Sequence, residues 1–134
     1  MDSSQIRTLP LEALAYLGDA VWELHVRSGL IYPPQRLRRL HERTVERVRA
    51  AAQATLLGRL EAQLTSEEAE WVRRGRNAAT GVPRHLDGAT YRLATAFETL
   101  LGYLFLADRE RLAVVLHLCD ELQHHGPNPA PPET

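Results

Sequence analysis

Along most of the chain, apolar residues recur three and four positions apart, the spacing of helices that turn one face inward. The first such segment spans about 10–28, with Pro10 suited to a first helical turn and Gly29 placed to end it. Projected at about 100° per residue, Leu14, Leu17, Gly18, Val21 and His25 share one side of this helix. Glu12, Asp19 and Glu23 share another, with Ala15 and Trp22 along its edge. "YPPQ" (32–35) interrupts the pattern, and an arginine-rich helix starts near Gln35. Helical periodicity then continues to Leu64, with a break expected at 44–47. "TSEE" (65–68) reads as a capping box, Thr65 serving as N-cap and Glu68 reaching back, and opens a helix to about Arg76. The Gly-, Pro-, Asn- and Asp-containing run 76–88 reads as a loop. A long helix follows over about 89–107, and Asp108 caps a last one ending near Gln123. No window alternates with period two for long enough to predict a strand. The pattern predicts an all-α helical bundle over 1–123, followed by a disordered, proline-rich tail at 124–134.

Composition narrows the class. A chain of 134 residues that is 44% hydrophobic suits one compact domain. With two Trp, four Tyr and two Phe, leucine and alanine must supply most of the packing. Cys119 is alone, so no internal disulfide framework exists and a reducing compartment is expected. The N-terminus lacks the basic and apolar regions of a signal peptide, and no apolar run approaches the roughly 20 residues of a membrane span. The expectation is a cytoplasmic protein with no membrane partner.

A net charge of −1 conceals an asymmetry. Residues 27–92 hold 13 Arg against 7 acids, or +6; the rest hold 3 Arg against 10 acids, or −7, and the two sum to −1. A basic middle is consistent with a polyanionic partner, and equally with a solvated helical surface. The chain has no lysine. Arginine's planar fork suits phosphate oxygens, but a GC-rich coding bias explains the replacement better.

Two carboxylates carry the candidate chemistry. Asp19 sits in "LAYLGDAVWEL" (14–24), where its short side chain disfavours a helix interior. Taken alone, it reads as part of a solvated acidic stripe. Glu98 sits in "YRLATAFETLLGYLFLA" (91–107), a helix apolar on all sides and therefore buried. A buried carboxylate without a partner is costly. Its partner is either an arginine, such as Arg92 or Arg7, or a cation shared with a second carboxylate. Mg²⁺ binds through one or two carboxylates and keeps several waters, and Asp19 is a candidate second ligand.

These residues lie in familiar surroundings. "YLGDAVWE" (16–23) resembles the "FLGDAVLE" core of the ribonuclease III signature, and "TAFETLLGYLFLAD" (95–108) resembles that family's second acidic motif. "RRGRNAATG" (73–81) and the opening "LEALAYLGDAVWELHVR" (11–27) are similar to the Mini-III branch in particular. The resemblance spans roughly residues 9–123. It implies an all-α endonuclease domain acting as a two-fold homodimer, with Mg²⁺-dependent hydrolysis of double-stranded RNA that leaves 5′-phosphate and 3′-hydroxyl ends. For the Mini-III branch it implies a large-subunit ribosomal RNA precursor as substrate, and leaves open an assisting ribosomal protein bound to that RNA.

Residue by residue, the resemblance assigns Asp19 and Glu98 as catalytic metal ligands and matches Glu12 to the signature's leading glutamate. Two further family acids fall on Ala15 and Thr95, so a four-carboxylate site is not expected. Glu12 lies about 10 Å along the helix from Asp19, too far to share one ion, and is expected to orient neighbouring groups. No separate double-stranded-RNA-binding domain is expected, so grip falls to the domain itself. Arg73, Arg74, Arg76 and Arg84 are the candidates, with Asn77 placed for a 2′-hydroxyl. His25 is expected to be packed rather than catalytic. Two rival readings stand beside the nuclease: a non-catalytic double-stranded-RNA-binding module that has lost its metal, and a helical protein–protein adaptor in which Glu98 pairs with a core arginine.

Overall fold

A computed structural model describes residues 1–124, and throughout them the fold is all-α. The proline-rich tail expected at 124–134 lies, but for His124, outside the described residues. The elements are α1 (Ser3–Arg7), α2 (Leu11–Leu30), α3 (Leu37–Val48), α4 (Ala50–Leu60), a single 3₁₀ turn (Glu61–Gln63), α5 (Ser66–Ala78), α6 (Gly88–Ala107) and α7 (Arg109–His124).

Helix α6 is the centre of the bundle, packed against α1, α2, α4, α5 and α7. Its all-round apolar sequence follows from that position: Ala96, Phe97, Leu100 and Leu101 are fully buried. Trp22 meets Phe97 edge-on, ring centroids 5.2 Å apart, and anchors α2 to this core.

The tightest contact in the fold is between α2 and α6. A Cβ placed on Gly18 would lie 1.7 Å from the Glu98 carbonyl oxygen. One placed on Gly102 would lie 1.9 Å from the Leu14 carbonyl oxygen. Leu14 and Gly18 are one helical turn apart, as are Glu98 and Gly102, so the two backbones touch at two successive turns. This contact rotates α2 relative to the face expected from the sequence. The buried residues are Leu14, Ala15, Gly18, Trp22, Val26 and Leu30, while Leu17, Val21 and His25 are half-buried at its edge.

Three boundaries differ from expectation. The short α1 had no periodic signal because it is five residues long; an Asp2–Gln5 capping box starts it. Helix α2 runs through Gly29 to Leu30, because nothing in the packing requires the chain to turn at the glycine. The break between α3 and α4 falls at Arg49, in extended conformation, rather than at 44–47. There the Gln53 amide donates to the Val48 carbonyl oxygen that the interrupted helix leaves free, at 2.9 Å.

The capping box at Thr65–Glu68 is present. Glu68 also accepts two bonds from Arg111 on α7, at 2.8 and 2.9 Å, which ties α5 to α7. At the far end of α2, His25 stacks on Trp22 and meets Asp120 at 2.9 Å. Asp120 in turn accepts from Arg47 at 2.8 Å.

Gly18→Ala is expected to lower the unfolding free energy by about 2–3 kcal/mol through overpacking. Gly58→Ala, in α4 with open space at its Cβ position, is expected to raise it by up to about 1 kcal/mol. Urea denaturation of both variants checks this, and equal effects would contradict the close α2–α6 contact.

Candidate active site

The Gly18 contact sets the position of Asp19. With Gly18 seated on the Glu98 carbonyl, Asp19, the next residue along α2, stands beside the Glu98 side chain. The two carboxyls are close enough to share a hydrogen bond. Asp19 is exposed and Glu98 half-buried, and both line a cleft of about 300 Å³ between the first half of α2, the end of α5 and the start of α6.

Burial, followed by the charge of Asp19 and the hydrogen bond with it, pushes the Glu98 carboxyl up from 4.5 to about 8. Two adjacent carboxylates do not ionise together without a positive charge between them. No guanidinium supplies one: among the described residues Glu98 has no ion pair. Arg92 lies back over Gly88, and Arg7 lines a separate groove beside Trp71 and Tyr103.

The positions where the second pair of family acids would stand, Ala15 and Thr95, line the same cleft. Ala15 contributes no oxygen, and the Thr95 hydroxyl donates to the Tyr91 carbonyl at 2.9 Å. Among the described residues no group of three or more His, Cys, Asp or Glu side chains converges. Glu12 lines the cleft but does not join such a group. The donor set is therefore two hard carboxylates opening onto space, which fits a cation that keeps most of its water and does not fit zinc held by four protein ligands.

The arginines expected to grip RNA divide into separate surfaces. Arg76 and Asn77 are exposed on the last turn of α5, which extends to Ala78 rather than ending at Arg76. They adjoin Ala78, Ala79 and Thr80 of the cleft wall. Arg84 is exposed in the loop between α5 and α6. Arg73 is bonded to Glu70 at 2.6 and 2.9 Å, and points about half a turn away from the cleft-lining Gly75. Arg74 lies over the Trp71 ring, 4.6 Å from its centroid, in the groove beside Arg7. Four more arginines of the basic middle, Arg43, Arg47, Arg49 and Arg59, line a hollow at the other end of α2 together with Glu46. Cys119 is buried, its thiol pushed up to about 12, and has no nucleophilic character.

Gln53 was missed by sequence reasoning. It interrupts the apolar run "AAAQATLL" (50–57), a signal of the same kind as Glu98's, and its amide is in contact with the Glu98 carboxyl.

Comparison with known proteins gives the family. Residues 12–109 match the family model described as "Ribonuclease III domain". The chain is 69% identical to Mini-ribonuclease 3 of Gloeobacter violaceus over 134 residues, covering 99% of each chain. It is 50% identical to Mini-ribonuclease 3 of a Synechocystis strain, covering 89% of this chain and 83% of that one. The chain belongs to the ribonuclease III family, in its Mini-ribonuclease 3 branch. Membership makes it a ribonuclease of the class that cuts double-stranded RNA. The fold is similar to the crystal structure of a Fusobacterium nucleatum protein, with a TM-score of 0.79 and 25% identity over 88% of this chain and 97% of that one. No helix among the described residues is long and apolar enough to cross a membrane.

The raised Glu98 pKa has a consequence for stability. Without a divalent cation, the folded chain retains a proton that the unfolded chain releases near 4.5, so stability falls as pH rises from about 4.5 to about 8. Glu98→Gln removes this slope. In EDTA, the variant is expected to exceed the parent by a few kcal/mol, as an order of magnitude, at pH 8.5 and by little at pH 5. Urea denaturation at both pH values checks it, and a difference independent of pH would contradict the buried, unpaired carboxyl.

Proposed function

We propose that this chain is a Mg²⁺-dependent endoribonuclease that cuts both strands of an RNA duplex as a two-fold homodimer, with Asp19 and Glu98 as its catalytic, metal-holding residues. The observation that carries this reading is the meeting of two carboxyls at an open cleft with no arginine between them. A bound Mg²⁺ supplies an activated water and a counter-charge for the leaving oxygen. The chain's own residues hold that site open and oriented. Asp19 and Glu98 present oxygens, and Glu98 releases its proton as the cation arrives. Ala15 and Thr95 leave room for water where further acids would crowd it. Glu12, on the cleft wall, orients groups around the ion without binding it.

Arg76, Asn77 and Arg84, beside the cleft, suit contacts to phosphates and a 2′-hydroxyl across an A-form groove. Arg73 and Arg74 face away from the cleft and suit contacts farther along the duplex. The products are 5′-phosphate and 3′-hydroxyl ends. Similarity to Mini-ribonuclease 3 supports a large-subunit ribosomal RNA precursor as the substrate, in the cytoplasm, with a ribosomal protein on that RNA as a further partner. The absence of an arginine on Glu98 disfavours the adaptor reading, and retention of both acids side by side disfavours a module without metal.

Asp19→Asn and Glu98→Gln are expected to keep duplex-RNA affinity within a few-fold while lowering single-turnover cleavage by roughly 10³-fold or more, the loss of several kcal/mol of transition-state stabilisation. Near-normal cleavage in Mg²⁺ by either variant, or undiminished cleavage by the parent in EDTA, overturns the assignment.

Two antiparallel strands need two sites related by a two-fold axis. Tyr16, Ala20 and Leu24 form an exposed stripe on α2 beside Asp19; Tyr16 is 83% and Leu24 70% exposed, a suitable surface for a second copy. Leu24→Glu is expected to convert a dimer to a monomer in sedimentation and to abolish paired cuts. A parent chain that sediments as a monomer at working concentrations contradicts the dimer.

A further inference from the structure

Gln53 is 2% exposed in the middle of α4, where a leucine would serve the core. Its Nε2 donates to the Val48 carbonyl at 2.9 Å, and its amide is near enough to Glu98 to act on that carboxyl as a donor, offsetting a small part of the rise that burial and Asp19 cause. Its Oε1 is enclosed and has no partner, the one such side-chain atom among the described residues. Exchanging the amide's oxygen and nitrogen would set two acceptors, Oε1 and the Val48 carbonyl, against each other, so the orphan is not removed by a flip. A buried amide oxygen without a donor is rare in folded proteins and marks a place for a ligand or an ordered water.

The neighbouring site has a matching need. A hard cation held by two carboxylates keeps several waters, and each of those waters needs an acceptor to fix it. Ala15 offers none, and Thr95 is tied to its own helix. Gln53 does not line the cleft itself; it sits behind Glu98, with an unused acceptor.

We propose that Gln53 is a positioning residue of the cation site: its N–H holds the Glu98 carboxyl in place, and its free Oε1 accepts a hydrogen bond from water ordered by the cation. This rests on the reading of Asp19 and Glu98 as the metal-holding pair. Gln53 touches neither RNA nor the reacting phosphate; it acts through Glu98 and the water.

The test uses Gln53→Met, which keeps the side chain's length and removes both polar groups. This variant removes the enclosed Oε1 but leaves the Val48 carbonyl oxygen without its donor, so its thermal unfolding midpoint is expected to fall by a few degrees while the variant stays folded at the assay temperature. Binding of Mn²⁺, a probe with the same preference for oxygen ligands, is followed by electron paramagnetic resonance without RNA. The expected result is at least tenfold weaker Mn²⁺ binding and a correspondingly higher Mg²⁺ half-saturation for cleavage. The KM for duplex RNA at saturating Mg²⁺ stays unchanged. If Gln53→Met does not fold, Gln53→Asn, which retains the amide but draws it back by one carbon, is expected to give the same shift. Parent-like Mn²⁺ binding by a folded variant, while Glu98→Gln has lost binding, overturns the role of Gln53 alone. Parent protein that binds no Mn²⁺, or Glu98→Gln that binds it as the parent does, overturns the cation site and this role with it.

Discussion

The structure depends on two glycines. Gly18 and Gly102 let the backbones of α2 and α6 meet at a separation that no side chain could enter. One consequence is mechanical: the helix carrying Asp19 is held to the helix carrying Glu98 within one residue of each acid's position. The other is electrostatic. Because the contact is backbone to backbone, no arginine or lysine stem fits between the helices at that level, and the two carboxyls face each other without an internal countercharge. The energy of packing α2 on the core is thus coupled to the discomfort of a pair of like charges, which a cation at the cleft, as proposed above, would relieve.

A site with few protein ligands arises from the same sequence. Where a fuller acidic set would stand, Ala15 and Thr95 leave the cleft wall smooth and roomy. A cation centre of the proposed kind would rely on water and on phosphate oxygens of the substrate to complete its coordination. It also relies on groups behind the carboxylates to keep them aimed, since nothing in front restrains them. The supports that the fold provides are Thr99 wedged against Gly75, which seats the end of α5 on α6, and the Gln53 amide reaching from α4. Rigid helices carry every group that matters to the cation. The groups suited to RNA stand instead on the last turn of α5 and the loop after it.

Much of the fold was legible because its signals are local and periodic. Helix α6 announced its central place by being apolar on all sides, and the Thr65–Glu68 box marked the start of α5. Asp108 was readable as the cap opening α7, and its side chain accepts from the Arg111 amide. Helix α1 was hidden because five residues are too few to establish a period. The α3–α4 break was misplaced because nothing in "TVERVRAA" (44–51) punctuates the chain; a tertiary fit and the Gln53 amide stabilise an extended Arg49 there. Glu98 was legible as a buried charge in want of a partner. The choice between an arginine and a cation was not, because it turns on the crossing of α2 and α6, which no local pattern specifies. The arginines near 73–84 were read as one group from their spacing in sequence. The helix extends to Ala78 and turns Arg73 and Arg74 away from Gly75, so spacing alone could not reveal their division.

The central claim is that the glycine contact makes a cation site from Asp19 and Glu98. A crystal structure of the protein grown with Mn²⁺ and recorded at a wavelength where manganese scatters anomalously tests it most directly. The account predicts an anomalous peak in the cleft about 2.2 Å from a carboxylate oxygen of each residue, with ordered water completing the shell. A cleft without a peak at saturating Mn²⁺, or a Glu98 carboxyl turned away from the ion onto a guanidinium, would contradict it.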